Sequence, residues 1–382
     1  MTIDAEHPHR IEQRFTVQYN YPVIFTRDCL NPKNKQFADL IENRANNPVL
    51  LPIFDRSLFN SHRGLEHDFE NYCRAHKLTS LPALVAPGGE VCKHSDELQQ
   101  RIYQAVLDYK IDRHSYIVAF GGGAVIDAVG YAAATAHRGI RLIRVPTTVL
   151  AQNDAAIGVK NAINYQRRKN FLGTFTPPHA VINDFDFLDS LEERDKRAGI
   201  AESIKVALIK DAALFDELFS QREALARFDQ AAMENMIIKG AQWHLRHIAS
   251  ADPFETGSSR PLDFGHWVAH KLEEISGHEL RHGEAVAIGI ALDTLYSARA
   301  ESLNAESAEQ VLSLLVSLGF ALYHPSLNKI NVENALNEFR EHLGGKLCIT
   351  LLDQIGKGRE TDHIDTQTMK DCILELKKRK RQ

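Results

Sequence analysis

The stretch that most constrains this chain is Tyr116-Ile117-Val118-Ala119-Phe120-Gly121-Gly122-Gly123-Ala124-Val125-Ile126-Asp127. An apolar run of β-formers enters a glycine turn, and a helical run from Ala124 to His137 leaves it. Strand, glycine turn and helix form the arrangement in which backbone amides can close on a phosphate. A Cβ in the turn would collide with the phosphates or forbid the backbone angles, so glycine is needed there. Asp127 lies one turn into the helix, on the side that can face a ligand. A glycine triplet alone is equally an ordinary turn, and it gains meaning only from its surroundings.

Those surroundings alternate between the two periodicities. Residues 49–54 read as a buried strand ending in Asp55, 65–76 as a polar helix, 81–85 as a strand leading into Pro87-Gly88-Gly89-Glu90, and 96–109 as an amphipathic helix. Residues 141–145 form a further strand closed by Pro146, and 181–183 the last strand of this half. The β-formers of 14–26 read as a hairpin or a pair of edge strands. Such alternation predicts a mostly parallel sheet wrapped by helices, with ligands at the carboxyl ends of its strands. Asp55, Gly88 to Glu90, Gly121 to Asp127 and Thr147-Thr148 converge on those ends. From about Leu188 the apolar period becomes helical and dominates 192–316, with little strand beyond except 347–352. The expected organisation is an α/β nucleotide-binding domain over 1–185, followed by a mainly helical metal and substrate domain over 186–382.

With 382 residues the chain can bury two cores. A net charge of −5 leaves no nucleic-acid footprint, and the basic run at 377–381 suits a solvated helix end. No apolar run is long enough to span a bilayer, and the polar N-terminus has no signal-peptide core. Five scattered cysteines without ligand spacing fit a reducing compartment. The expectation is a cytoplasmic protein without membrane or nucleic-acid partners.

Three groups in the helical half can carry chemistry. Glu202 and Lys205, three apart, share a helix face. His266 and His270, four apart, share another, and Arg281-His282-Gly283-Glu284 opens a third helix. Singly these read as a solvated ion pair and structural histidines. Together, Glu202, His266 and His282 make a carboxylate and two imidazoles, a catalytic divalent-metal set with an open position. In the α/β half, Gln152-Asn153-Asp154 leads to Lys160, and Asn164 to Arg167-Arg168-Lys169-Asn170. Cations at this density suit an anionic substrate such as a phosphate ester, or for Arg167 and Arg168 a solvated basic loop.

In order, Gly121-Gly122-Gly123 with Asp127, Pro146-Thr147-Thr148, Asp154 with Lys160, Lys169-Asn170, Gly199-x-Ala201-Glu202-x-x-Lys205, Phe264-Gly265-His266-x3-His270 and His282-Gly283-Glu284 resemble the dehydroquinate synthase-like sugar phosphate cyclases. The likeness runs from about Asp55 to Leu352. The wording of 159–164 and 259–266 is similar to the EboD-type subgroup. The resemblance implies that Asp55, Glu90, Lys93, Gly122, Gly123, Ala124, Asp127, Thr147 and Thr148 hold NAD. It implies that Glu202, His266 and His282 bind zinc or cobalt. Asp154, Lys160, Lys169, Asn170, Lys205 and His270 would surround the substrate, and Lys346 would reach its phosphate. The implied reaction oxidises a secondary alcohol, eliminates phosphate, returns the hydride, opens the sugar and closes a carbocycle. A homodimer is implied as well.

The chain departs from dehydroquinate synthases proper at several positions. Where those enzymes grip a substrate carboxylate with an arginine and a lysine, Ser259 and Leu245 stand here, with Arg260 and Arg246 as neighbours that could compensate. Asp263 replaces an asparagine; an anion there repels a carboxylate and accepts hydroxyl hydrogen bonds. Valiolone-type cyclases, which use sedoheptulose 7-phosphate, show a similar trend. Asn161 replaces a threonine. The expected substrate is therefore a heptulose 7-phosphate or similar sugar phosphate lacking a carboxylate. The alternatives are 3-dehydroquinate synthase itself, a metal-dependent polyol dehydrogenase, and a non-catalytic cofactor-binding partner.

Overall fold

A computed structural model of the chain describes residues 2–3, 11–42, 47–166, 168–250, 252–254, 262–277, 279–342 and 345–380. Seven parallel strands form the first half: β1 (Val23–Thr26), β2 (Val49–Asp55), β3 (Thr79–Ser80), β4 (Leu84–Ala86), β5 (Tyr116–Gly121), β6 (Arg141–Pro146) and, after an intervening hairpin, β9 (Ala180–Asp184). Their order is β1-β9-β6-β5-β2-β3, with β4 also paired to β2. The central strands are apolar throughout because both faces are covered, as parallel sheets require. Leu51, Ile53, Ile117 and Ala119 point to the side carrying α2 (Glu97–Asp108) and α3 (Gly123–Thr135). Leu50, Phe54, Val118 and Phe120 point to the opposite side, against Phe69 and Tyr72 of α1 (Leu65–Ala75).

The helical half is built on α4 (Glu193–Lys210), α5 (Gln230–Ile248), α6 (His266–Ile275) and α7 (His282–Arg299). Helix α7 is buried on nearly every side, so it has no polar face and forms the centre of the bundle. Two contacts bring its backbone unusually close to its neighbours. A Cβ at Gly283 would lie 1.8 Å from the carbonyl oxygen of Ala198 on α4, and one at Gly289 2.0 Å from that of Gly265, which precedes α6. Gly265 adopts φ 78°, a left-handed conformation that favours glycine and starts α6 sharply. The indole of Trp267 and the amide of Gly265 both donate to the carboxylate of Asp293 on α7, at 2.9 and 3.0 Å.

Several expectations need correction. Of 14–26 only β1 is a strand, and it pairs in parallel with β9 at the sheet edge rather than forming a hairpin. The segment after Lys160, to which no strand is assigned above, is the antiparallel hairpin β7 (Lys160–Tyr165) and β8 (Arg168–Phe175). Its inner residues Ala162 and Ile163 are buried while β8 is largely exposed, so half of its alternation is masked by Lys, Arg and Asn. A second hairpin joins β10 (Ile349–Gln354) to β11 (Lys357–Thr361), whose polar composition hid it. Arg167 lies outside the described residues. The basic C-terminal run ends the helix Thr366–Arg379, where Arg379 pairs with Glu309 and Glu375. All five cysteines are free thiols. Among the described residues no helix is long and apolar enough to cross a membrane.

Gly283→Ala is expected to force α7 away from α4 and to destabilise the protein by about 1–3 kcal/mol, read as a lower urea midpoint. An unchanged midpoint would show that the two helices are not locked by this approach.

Candidate active site

At the end of β5, Gly122 caps α3 without any side-chain hydrogen bond, so the first-turn amides remain available. Added side chains have no room. A Cβ at Gly121 would lie 3.1 Å from the Asp55 Cβ, one at Gly122 3.2 Å from Thr148 Cγ2, and one at Gly123 2.9 Å from the Ala155 Cβ. Ala124 follows in the first turn, and Thr147 is buried beside the turn, its amide bonded to the Gly121 carbonyl at 3.0 Å. This is a bare backbone cradle at a helix N-terminus, and it fits a dinucleotide's phosphates. Asp55 accepts from the Ser57 amide at 2.7 Å, capping the short helix Arg56–Ser61.

Lys93 is buried and bridges Asp127 Oδ2 at 2.7 Å and Asn170 Oδ1 at 2.8 Å. Burial disfavours the Lys93 cation, but Asp127 and Glu90 outweigh it and raise the pKa, so the ammonium persists. Asn164 donates to Glu90 at 3.0 Å and accepts from the Asn170 amide at 2.8 Å. The cradle and the β7–β8 hairpin are therefore tied by one polar network.

The segment between β6 and that hairpin hangs on Arg144, which is fully buried. Its guanidinium donates to the carbonyls of Ala156 (3.0 Å), Gly158 (2.6 Å) and Lys160 (3.3 Å), and to Asn161 Oδ1 (2.7 Å). Asn161 in turn packs where a Cβ of Gly130 would lie, 1.9 Å from its Oδ1. Asn161 is thus a structural residue. Asp154 sits at the start of this segment in a single π-helical turn, Ala151–Ala155, and receives a hydrogen bond from His244 Nδ1 at 2.9 Å.

Helices α4, α6 and α7 bring Glu202, His266 and His282 together. Glu202 Oε1 is 3.5 Å from His266 Nε2 and 3.4 Å from His282 Nε2, and one ligand atom from each residue lies within 4.8 Å of the others. Lys205 forms an ion pair with Glu202 Oε2. The pair is not solvated, since Glu202 is 2% and Lys205 4% exposed. Neither Glu202 oxygen has a well-aligned hydrogen bond. Such an orphaned buried carboxylate facing two imidazoles fits a divalent cation.

The imidazoles are pre-set for that role. His266 Nδ1 faces the Phe264 carbonyl at 3.2 Å, an acceptor only, so the proton sits on Nδ1 and Nε2 is left toward Glu202. His282 Nδ1 likewise donates to Glu273 Oε1 at 2.9 Å, and Glu273 Oε2 receives Lys169 Nζ at 3.0 Å. Burial pushes the Glu273 carboxyl up, but His282 and Lys169 outweigh it and hold it well below the usual carboxylate range. For His282, burial disfavours the cation, yet the nearby carboxylates of Glu202 and Glu273 raise its pKa to about 9. His270 opens to the crevice between the same helices; the low-dielectric surroundings first, then His266 and His282, push its pKa well below the ordinary value. Lys205 stays protonated: burial opposes it, but Glu202, Asp154 and Asp263 prevail.

The remaining candidates are placed less centrally. Lys160 is exposed at the start of β7, and Lys346 is exposed in the connection before β10. Asp263 stands within electrostatic range of Lys205. Arg260 lies outside the described residues. Arg246 is exposed, with its guanidinium 4.8 Å from the Trp243 ring centroid. Leu245, at the lysine's place, packs into the apolar cluster beneath the sheet. Sequence reasoning missed Glu273, His244 and Arg144. Glu273 lies three residues past His270 and seven past His266, a spacing that puts all three on one helix face. Arg144 was visible as a charge inside an apolar strand. Nothing in the sequence marked His244.

Residues 83–198 match the family model described as 3-dehydroquinate synthase N-terminal, and 199–342 the one described as 3-dehydroquinate synthase C-terminal. A 3-dehydroquinate synthase of Nitrosospira multiformis is 37% identical over 307 residues, covering 78% of this chain and 82% of that protein. One from Syntrophotalea carbinolica is 35% identical, covering 82% and 83%. Among solved structures, 2-epi-5-epi-valiolone synthase from Streptomyces hygroscopicus subsp. jinggangensis, with NAD+ and Zn2+ bound, superposes with a TM-score of 0.85 at 28% identity, covering 97% of this chain and 99% of that one. A 2-deoxy-scyllo-inosose synthase complexed with carbaglucose-6-phosphate, NAD+ and Co2+ shares the fold (TM-score 0.76, 24% identity, coverage 92% and 96%).

Glu273→Gln is expected to weaken zinc binding by about 10–100-fold, measured by competition with a chelator. A cation can occupy the site only when His282 is neutral, and its pKa of about 9 means that a proton must leave at any lower pH. Zinc affinity should therefore rise with pH through the neutral range, by up to about tenfold per unit. A flat profile would show that His282 is not a ligand.

Proposed function

The chain belongs to the 3-dehydroquinate synthase family of sugar phosphate cyclases, and from that footing we propose that it is an NAD- and metal-dependent carbon–oxygen lyase whose sugar phosphate substrate carries no carboxylate, such as a heptulose 7-phosphate. Its product would be a carbocycle formed with loss of phosphate.

Gly122, Gly123, Ala124, Thr147 and Thr148 would hold the dinucleotide, together with Asp55, Glu90, Lys93 and Asp127. Glu202, His266 and His282 would hold zinc or cobalt. When bound, these groups supply a hydride acceptor and Lewis acidity toward a substrate oxygen. Lys205, a buried ammonium, would orient and donate to the reacting hydroxyl beside Glu202. Asp154 would accept a neighbouring hydroxyl proton in hydrogen bonding. Lys160, Lys169, Asn170 and Lys346 would receive the phosphate, and Lys169 can exchange its partner Glu273 for that dianion. His270, held neutral near pH 7, can offer an imidazole nitrogen as a hydrogen-bond acceptor to the substrate.

The observation that carries the substrate assignment is that, among the described residues, the place of the clamp's lysine is filled by Leu245 and holds no cation. Leu245 is packed in apolar surroundings, Arg246 is turned onto Trp243, and Asp263 and Asp154 are both close enough to influence Lys205. A substrate carboxylate would meet two anions there, whereas hydroxyls would find acceptors. The second reading is 3-dehydroquinate synthase itself, favoured by the names of the relatives at 35–37% identity.

Purified protein with NAD and zinc should release phosphate from sedoheptulose 7-phosphate at least about tenfold faster than from the carboxylated seven-carbon sugar acid phosphate, by transition-state discrimination of about 1.4 kcal/mol or more. It should do so without net accumulation of NADH. Turnover of the carboxylated compound alone would establish the second reading, and steady NADH build-up would indicate a polyol dehydrogenase.

A further inference from the structure

His244 of helix α5 reaches the segment that carries Asp154. His244 Nδ1 lies 2.9 Å from Asp154 Oδ1, with the two side chains 19% and 29% exposed. A carboxylate can only accept, so His244 donates. Room for the imidazole comes from Gly158: a Cβ there would lie 3.3 Å from His244 Nε2. The Gly158 carbonyl is itself held by Arg144 at 2.6 Å, so the wall behind the ring is fixed by a buried cation. Asp154 feels both Glu202 and Lys205, which puts it beside the metal group.

We infer that His244 is a positioning residue that holds the Asp154 carboxylate in one orientation, occupying Oδ1 and leaving Oδ2 to read a hydroxyl of the substrate's polyol end. This rests on the substrate reading above and deepens it. With its rotamer fixed, the carboxylate is a directed acceptor, and it selects a sugar hydroxyl over a carboxylate at the same position. Leu245, at the place where dehydroquinate synthases carry a lysine, packs in the apolar cluster and supplies no cation to reverse that preference.

The test uses the full chain loaded with NAD and zinc. Its probes are a non-reacting carbocyclic analogue of a heptulose 7-phosphate, the set of its single-deoxy counterparts, and a carboxylated counterpart. Binding is measured by calorimetry. His244→Ala should raise the Kd of the fully hydroxylated analogue by about tenfold or more, the loss expected when a hydrogen bond to a charged group is no longer aligned. For one deoxy analogue the same substitution should change Kd less than about twofold, because the hydroxyl read by Asp154 is missing. His244→Gln, which keeps an N–H donor, should recover most of the lost affinity. Equal binding by His244→Ala and wild type, or equal weakening for every deoxy analogue, overturns the inference. Preference of the wild type for the carboxylated analogue overturns the substrate reading instead. The His244 contrast is then read on the carboxylated series by the same two criteria, so the two failures stay distinct.

Discussion

A carboxylate buried in the middle of a protein must be neutralised, and Glu202 is where this requirement acts. At 2% exposure it cannot be left to water. Lys205, one helical turn away, supplies one balancing charge, and the two imidazoles of His266 and His282 close the other side. Everything else in the helical half follows from holding three helices near enough for those groups to meet. That proximity is a backbone matter. Gly283 lets α7 touch the carbonyl of Ala198 on α4, and Gly289 lets it touch that of Gly265 at the start of α6. Bulkier residues at either position would widen the group beyond the reach of one cation.

The α/β half contributes its side chains through two buried cations. Lys93 joins the glycine turn, through Asp127, to Asn170 on the hairpin. Arg144 holds three consecutive stretches of the segment between Asp154 and Lys160. An isolated two-stranded hairpin is marginal in water; here these networks and the packing of β7 on α3 fix it over the crevice. Lys169 then reaches Glu273, which also orients His282. Lys169 and the imidazoles of His282 and His266 are thereby linked through Glu273 and Glu202 in one electrostatic chain.

Much of this was readable in advance, and the reasons differ by region. The strands of the sheet are apolar along their whole length because helices cover both faces, so they stand out as runs. Glu202 with Lys205, and His266 with His270, were readable because helical spacing puts each pair on one face. The hairpin was not, because its exposed residues are polar and break the apolar alternation that marks a strand. Glu273 could have been found by following the face of His266 and His270 one further turn. His244 could not, since its partner Asp154 is ninety residues away and nothing local announces the contact.

By itself the sequence determined the parallel α/β half, the glycine turn at the end of its central strand, the helical half after it, and the family to which the motifs point, because hydrophobic period and motif spacing are local properties of the chain. Only the tertiary structure decided which carboxylates serve the imidazoles, that Arg246 lies over Trp243, and that Asn161 is a packing residue against Gly130. Those outcomes depend on how far apart elements distant in sequence come to rest, and that distance is set by side-chain volume at helix and strand contacts, which no local pattern records.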